Sequence, residues 1–157
     1  MNSIKVIFID VDGTLTDGKI YMGASGEAFK AFDIKDGYAI HKILPKYDII
    51  PVIITGRISN IVEQRALELG IKELYQGIDD KPACIKQVIK KYACSMQETA
   101  FIGDDLNDLA AMQLCGVAGC PADAVCAVKS ECAYVCNAVG GRGAVREFVE
   151  WLIETKG

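Results

Sequence analysis

The sequence has no excess of positive charge: 17 Lys and Arg stand against 21 Asp and Glu, a net charge of −4. A phosphate backbone needs a basic surface, so nucleic acid is not the expected partner. There is also no long apolar run. The first, residues 4–9, is cut by Asp10, so neither a signal peptide nor a membrane span is expected at the N-terminus. Histidine is nearly missing; His41 stands alone on a predicted helix and reads as structural rather than catalytic. No Cys-x-x-Cys occurs among the seven cysteines (Cys84, Cys94, Cys115, Cys120, Cys126, Cys132 and Cys136), whose number is odd and whose spacings match no common zinc site. They are expected to be free thiols acting as small apolar fillers in a reduced cytoplasm, with Cys115 to Cys136 in the core. Internal repeats, low-complexity stretches and linkers are lacking too. The 157 residues, half of them hydrophobic, therefore read as one globular domain with a sizeable core.

What is present is an alternation. Residues 4–9 (IKVIFI), 49–55 (IIPVIIT), 73–75 and 99–103 (TAFIG) read as strands, with two shorter ones at 116–119 and 133–136 flanking a small helix. Residues 19–32 predict a β-hairpin turning at Gly-Ala-Ser-Gly, the core of a flap over about 18–33. Helices are predicted from an N-cap at Asp36 to about Pro45, over Ile58 to Leu69 with Gly70 as the stop, from Pro82 to Tyr92, over 106–114, and over about 144–153. Strands alternating with helices at this spacing give an α/β, Rossmann-like three-layer sandwich around a parallel sheet. Ligands bind such sheets beyond the carboxyl ends of the strands. Asp10 and Asp12 follow the first strand, Thr55, Gly56 and Arg57 the second, and Asp104 and Asp105 the strand TAFI. Lys81 stands at a helix start and is placed to join them.

Carboxylates gathered at one edge repel unless a cation offsets them. Oxygen-only ligands without His or Cys favour Mg²⁺ over zinc, and Asp10, Asp104 and a backbone carbonyl near Asp12 make a suitable set. The stretch 13–19 fits most of a P-loop, but Ile20 stands where the Mg²⁺-binding Ser or Thr belongs, and Asp17 would repel a phosphate. A different phosphate chemistry fits better. One carboxylate attacks phosphorus and forms an acyl phosphate while the second carries the proton.

The motifs DVDGTLTDG, IITGR, Lys81 and GDDLND resemble, in order, the four motifs of the haloacid dehalogenase superfamily of phosphatases. Over about residues 4–151 the chain resembles its capless branch of 3-deoxy-D-manno-octulosonate 8-phosphate phosphatases, through DGKIYMGASGE, FDIKDGYAI, LYQGIDDK and GGRGAVREF. The resemblance implies Asp10 as nucleophile, Asp12 as general acid/base, Thr55, Gly56 and Lys81 on the phosphoryl group, Mg²⁺ on Asp10, Asp12 and Asp104, and Asp105 and Asp108 behind the metal. Thr14 departs from the apolar residue common in that branch and is expected to leave the chemistry untouched. Arg57 favours the eight-carbon sugar over a nine-carbon sialic-acid-type 9-phosphate, the sister branch's substrate. A non-catalytic oligomerisation module of the same fold is the alternative from another class.

The gaps between motifs leave no room for a cap domain. The resemblance implies a homotetramer in which neighbouring subunits close each site. A Gly-rich C-terminal segment from about 138 is expected to be flexible at residues 140–143 and to bring Arg142 to a partner's substrate.

Overall fold

The computed structural model describes residues 3–156, with the side chain of the last of these left out. Six strands form one parallel sheet: β1 (Val6–Ile9), β4 (Ile50–Ile54), β5 (Glu73–Tyr75), β6 (Thr99–Ile102), β7 (Val117–Cys120) and β8 (Tyr134–Val135), in the order β5-β4-β1-β6-β7-β8. Strands β2 (Tyr21–Gly23) and β3 (Gly26–Phe29) pair separately as the antiparallel flap.

The central strands are apolar apart from Thr99 at the start of β6, because both faces are covered. The two-residue period of a strand sends Ile7, Ile9, Ile53 and Ile102 to one core and Val6, Phe8, Val52, Ile54 and Phe101 to the other. The first core is closed by the turns that follow α1 (Ile34–Tyr38), through Ala39, Ile40 and Leu44, and by α2 (Asn60–Leu69) and α6 (Ala144–Lys156); the second is closed by α3 (Lys81–Lys91), α4 (Leu106–Leu114) and α5 (Cys126–Lys129). Beyond β1 the chain builds outward through β4 and β5, then crosses back to add β6 on the other side. That reversal is a topological switch point, and it opens the crevice at the carboxyl ends of β1 and β6.

Several expectations need correcting. The cap of α1 is Asp33, whose carboxylate accepts from Lys35 N, and not Asp36. Asp36 lies buried inside the helix and accepts from the backbone of Gly143 and Arg146 instead. The helix does not run on regularly to Pro45; it passes through a wide turn (Ala39–Ile43) and a tight one (Leu44–Tyr47). Helix α2 starts at Asn60, so Ile58 lies outside it and is exposed, while the backbone N–H of Ser59 is bonded to Gln76 Oε1. Gly70 ends α2 in the left-handed conformation, as expected.

Residues 140–143 are not a loose hinge. Gly140 N donates to Asp123 Oδ1 (2.9 Å), Gly141 N to Thr14 O (3.0 Å) and Gly143 N to Asp36 Oδ2 (3.3 Å). A Cβ on Gly140 would sit 1.9 Å from Gly13 O, so this glycine serves close packing against the loop after β1. All seven cysteines are free; Cys126 is exposed in the first turn of α5, so it is not a core filler.

Candidate active site

The loop after β1 is wound tightly. Residues Val11–Leu15 form a single wide helical turn interrupted at Gly13, whose φ of +91° is open to glycine at little cost. A Cβ there would lie 1.9 Å from Asp104 Oδ2, so the glycine also admits Asp104 from the end of β6. Asp10, Asp12, Thr55, Gly56, Arg57, Asp104 and Asp105 line one open cleft of ≈ 250 Å³ at the carboxyl edge, together with Gly18 and Asn107. The cleft brings the sequence-predicted groups from three separate strands together.

Lys81 is the charge at the centre. Its Nζ donates to Asp10 Oδ1 (2.7 Å) and to Asp108 Oδ1 (2.5 Å), and its side chain is 1% exposed. Burial works against that charge, but the two carboxylates outweigh it and hold the ammonium above its ordinary value. Asp108, at the third position of α4, also accepts from the backbone of Asp104 with Oδ2. Asp105 caps the same helix, accepting from Leu106 N, and so positions α4 while lining the cleft. Thr14 touches the same group: its hydroxyl lies 3.4 Å from Asp104 Oδ1, a long hydrogen bond to that carboxylate.

One lysine does not balance three carboxylates. Ligand oxygens of Asp10, Asp104 and Asp108 lie within 4.8 Å of one another. Burial, then the charge of Asp108, pushes Asp10 well above the usual carboxylate range. The same two causes push Asp104 up to about 6. Repulsion of this kind is what a divalent cation relieves, and the donors are all oxygen. The residues present fit Mg²⁺, with Asp10 and Asp104 facing the cleft and Asp108 already engaged by Lys81 and the backbone.

Asp12 turns to the flap. Lys30, from the segment just after β3, donates to Asp12 Oδ1 (2.5 Å) and pairs with Glu27 (3.0 Å). Glu27 in turn accepts from Ser59 Oγ (3.0 Å) and Arg57 Nη2 (3.3 Å). Lys30 was missed by sequence reasoning because nothing in its neighbourhood marks a buried lysine. Arg57 lines the cleft, whereas Arg142 is exposed at the base of the flap, its charge acting on Asp17 and Tyr21. Arg142 therefore does not join its own chain's cleft. His41 is also remote, its Nδ1 3.0 Å from Leu69 O.

Known proteins place this arrangement. A sequence profile of the haloacid dehalogenase-like hydrolases matches residues 60–148, a span that holds Lys81 and Asp104. The 3-deoxy-D-manno-octulosonate 8-phosphate phosphatase KdsC of Escherichia coli K12 is 42% identical over 155 residues, 99% of this chain and 82% of that protein. The cobalt-bound deoxy-D-mannose-octulosonate 8-phosphate phosphatase of Haemophilus influenzae superposes with a TM-score of 0.94 at 38% identity, over 99% of this chain and 90% of that one. The Moraxella catarrhalis 3-deoxy-D-manno-octulosonate 8-phosphate phosphatase, solved with magnesium, phosphate and KDO, gives 0.92 at 38% identity, over 96% and 86%. With two carboxylates after its first strand, a buried lysine between them and α4, and these relatives along nearly its whole length, the chain belongs to the haloacid dehalogenase-like hydrolases.

Proposed function

We propose that this protein is a Mg²⁺-dependent phosphatase that hydrolyses 3-deoxy-D-manno-octulosonate 8-phosphate to the free sugar and phosphate. The observation that carries the reading is the convergence of Asp10, Asp12 and Asp104 on one cleft, with the buried Lys81 bonded to Asp10, in a chain 42% identical to KdsC over nearly its full length.

Asp10 is the nucleophile. Its carboxylate forms a bond to phosphorus as the bond to the sugar oxygen breaks, giving an aspartyl phosphate. Asp12 delivers a proton to the departing alkoxide, then takes one from the water that cleaves the acyl phosphate. Lys81, Thr55 and Gly56 hold the phosphoryl oxygens, and Asp105 and Asp108 fix the end of α4 behind Asp104. Asp10, Asp104 and a backbone carbonyl near Asp12 would hold Mg²⁺, which would supply positive charge for the phosphoryl group. Lys81 offsets part of the burial and repulsion that disfavour the ionised Asp10 carboxylate, and a bound cation would offset more.

Arg57 suits the carboxylate of the keto-sugar acid. The cleft is open, and no domain covers it among the described residues. Exposed apolar side chains on and beside the flap, including Met22, Phe29, Ile34 and Tyr38, support assembly into a homotetramer in which a neighbour closes the site and Arg142 reaches that neighbour's substrate. Free thiols throughout and no helix long and apolar enough to cross a membrane among the described residues support a cytoplasmic location. The intact set of charged groups disfavours a non-catalytic module. The test is a comparison of kcat/KM for the eight-carbon 8-phosphate and a nine-carbon sialic-acid-type 9-phosphate. At least tenfold preference for the first is expected; the reverse preference moves the substrate to the sister branch, and no Mg²⁺-dependent turnover of either ends the reading.

A further inference from the structure

The flap holds a charged residue that the reaction above does not use. Lys30 is one of the most deeply buried cations of the molecule, its side chain 1% exposed. A lysine is rarely buried unless it is paired. It has two partners, Asp12 Oδ1 at 2.5 Å and Glu27 Oε2 at 3.0 Å. Asp12 sits on the rigid loop after β1; Glu27 and Lys30 belong to the flap. Glu27 extends the chain of bonds to Ser59 and Arg57, on the loop after β4 that lines the same cleft. One buried ammonium therefore joins the proton-carrying carboxylate to the flap and to the rim of the substrate cleft.

We infer that Lys30 is the positioning residue of the general acid/base: it fixes the Asp12 carboxylate so that one oxygen is left to meet the sugar's leaving oxygen. Three observations support this. The bond to Lys30 occupies Oδ1, and among the described residues Oδ2 has no hydrogen-bond partner while Asp12 lines the cleft. A carboxylate on a loop has two rotatable bonds; an anchored ammonium removes that freedom, and small misplacements of a catalytic group cost large factors in rate. Finally, Lys30 lies in the flap rather than in the sheet, so Asp12 is aligned only while the flap is seated on the cleft. The proton transfer itself is unchanged: Asp12 Oδ2 carries the proton, the oxygen–phosphorus bond breaks, and the electron pair leaves with the sugar oxygen that receives that proton.

The inference rests on the phosphatase reading, and the experiment separates the two. Lys30→Met keeps the length of the side chain and removes the charge. For wild type and variant, kcat/KM is measured with Mg²⁺ on an alkyl phosphate, the eight-carbon sugar phosphate, and on p-nitrophenyl phosphate. The nitrophenolate is stable without a proton, so its departure does not need Asp12. Because kcat/KM reports the steps through loss of the leaving group, later hydrolysis of the acyl phosphate does not enter it. General acid–base catalysis contributes about 10²–10⁴-fold, so a misaligned Asp12 is expected to lower the alkyl-to-aryl ratio of kcat/KM by about tenfold or more. The ratio is taken within one preparation, so a partly unfolded variant leaves it unmoved. An aryl series of rising leaving-group basicity gives a second readout: kcat/KM of Lys30→Met falls more steeply along it than wild type, in the direction of Asp12→Ala. A ratio that changes less than about threefold, or a loss of both activities together, overturns the role of Lys30. If wild type turns over neither ester, the phosphatase reading itself fails, and Lys30 is not at issue.

Discussion

The two ends of one sheet treat a buried carboxylate in opposite ways. At the amino end, Glu73 opens β5 and is buried, yet it accepts hydrogen bonds from the hydroxyls of Tyr75 and Tyr92 (2.6 Å each) and from Lys91. Burial alone would raise it; these donors win and hold it below the ordinary glutamate value. At the carboxyl end, Asp10 shares a single ammonium with Asp108 and faces Asp104, and both Asp10 and Asp104 are held above the usual range. A buried acid with its partners supplied is structure. A buried acid left short of positive charge is a candidate place for a cation.

Substitutions at the two ends should therefore separate activity from stability. The largest effect belongs to Asp10→Asn, which keeps the shape and removes the proposed nucleophile. Turnover is expected to fall on the order of 10⁴-fold or more, as for other covalent catalysts, while the thermal midpoint in metal-free buffer stays level or rises. A steady-state assay beside a melting curve checks both.

Next comes Asp104→Asn. Binding to the folded state alone raises stability by mass action, so Mg²⁺ should raise the wild-type midpoint. In this variant that rise should disappear and turnover fall by about 10²-fold or more. A midpoint that climbs with Mg²⁺ as in wild type would place the cation elsewhere.

Glu73→Ala reverses the pattern. It orphans two tyrosine hydroxyls and a lysine, and should cost about 2–4 kcal/mol of stability with kcat/KM within twofold of wild type. Denaturant unfolding gives the first quantity and the phosphatase assay the second. The smallest effect is on pH. The folded-state pKa of Glu73 lies below its unfolded value, so its contribution is present above about pH 4.5 and is lost as pH falls through the folded value. Glu73→Gln should flatten the acid limb of stability below about pH 4.5 and leave the neutral region parallel to wild type.

The same contrast explains what was legible in the sequence. That Asp10, Asp12, Thr55 and Asp104 meet at one cleft, with Lys81 against Asp10, could be read because each follows an apolar run or opens a helix, and these are local signals. The hairpin turn, Pro82 in the first turn of α3 and the Gly70 stop are local as well. The misses depend on distant partners. Asp33 and Asp36 are both plausible caps by sequence; the choice follows from α6, whose first turn takes up Asp36 across 110 residues. Residues 140–143 look flexible until Gly13 O is seen against Gly140. Lys30 resembles a surface lysine until the flap folds it onto Asp12, 18 residues away. The chemistry is written at strand ends, and the devices that hold it in place are written in long-range contacts.

The central claim is that Asp10 bonds to phosphorus. Trifluoroberyllate with saturating Mg²⁺ mimics a phosphoryl group on a carboxylate, and a crystal structure of that complex tests the claim most directly. The account predicts beryllium bonded to an Asp10 oxygen, Lys81 within hydrogen-bond distance of the fluorides, and the metal on Asp10 and Asp104. Beryllium bonded to any other side chain, or magnesium absent from those two carboxylates, would contradict it.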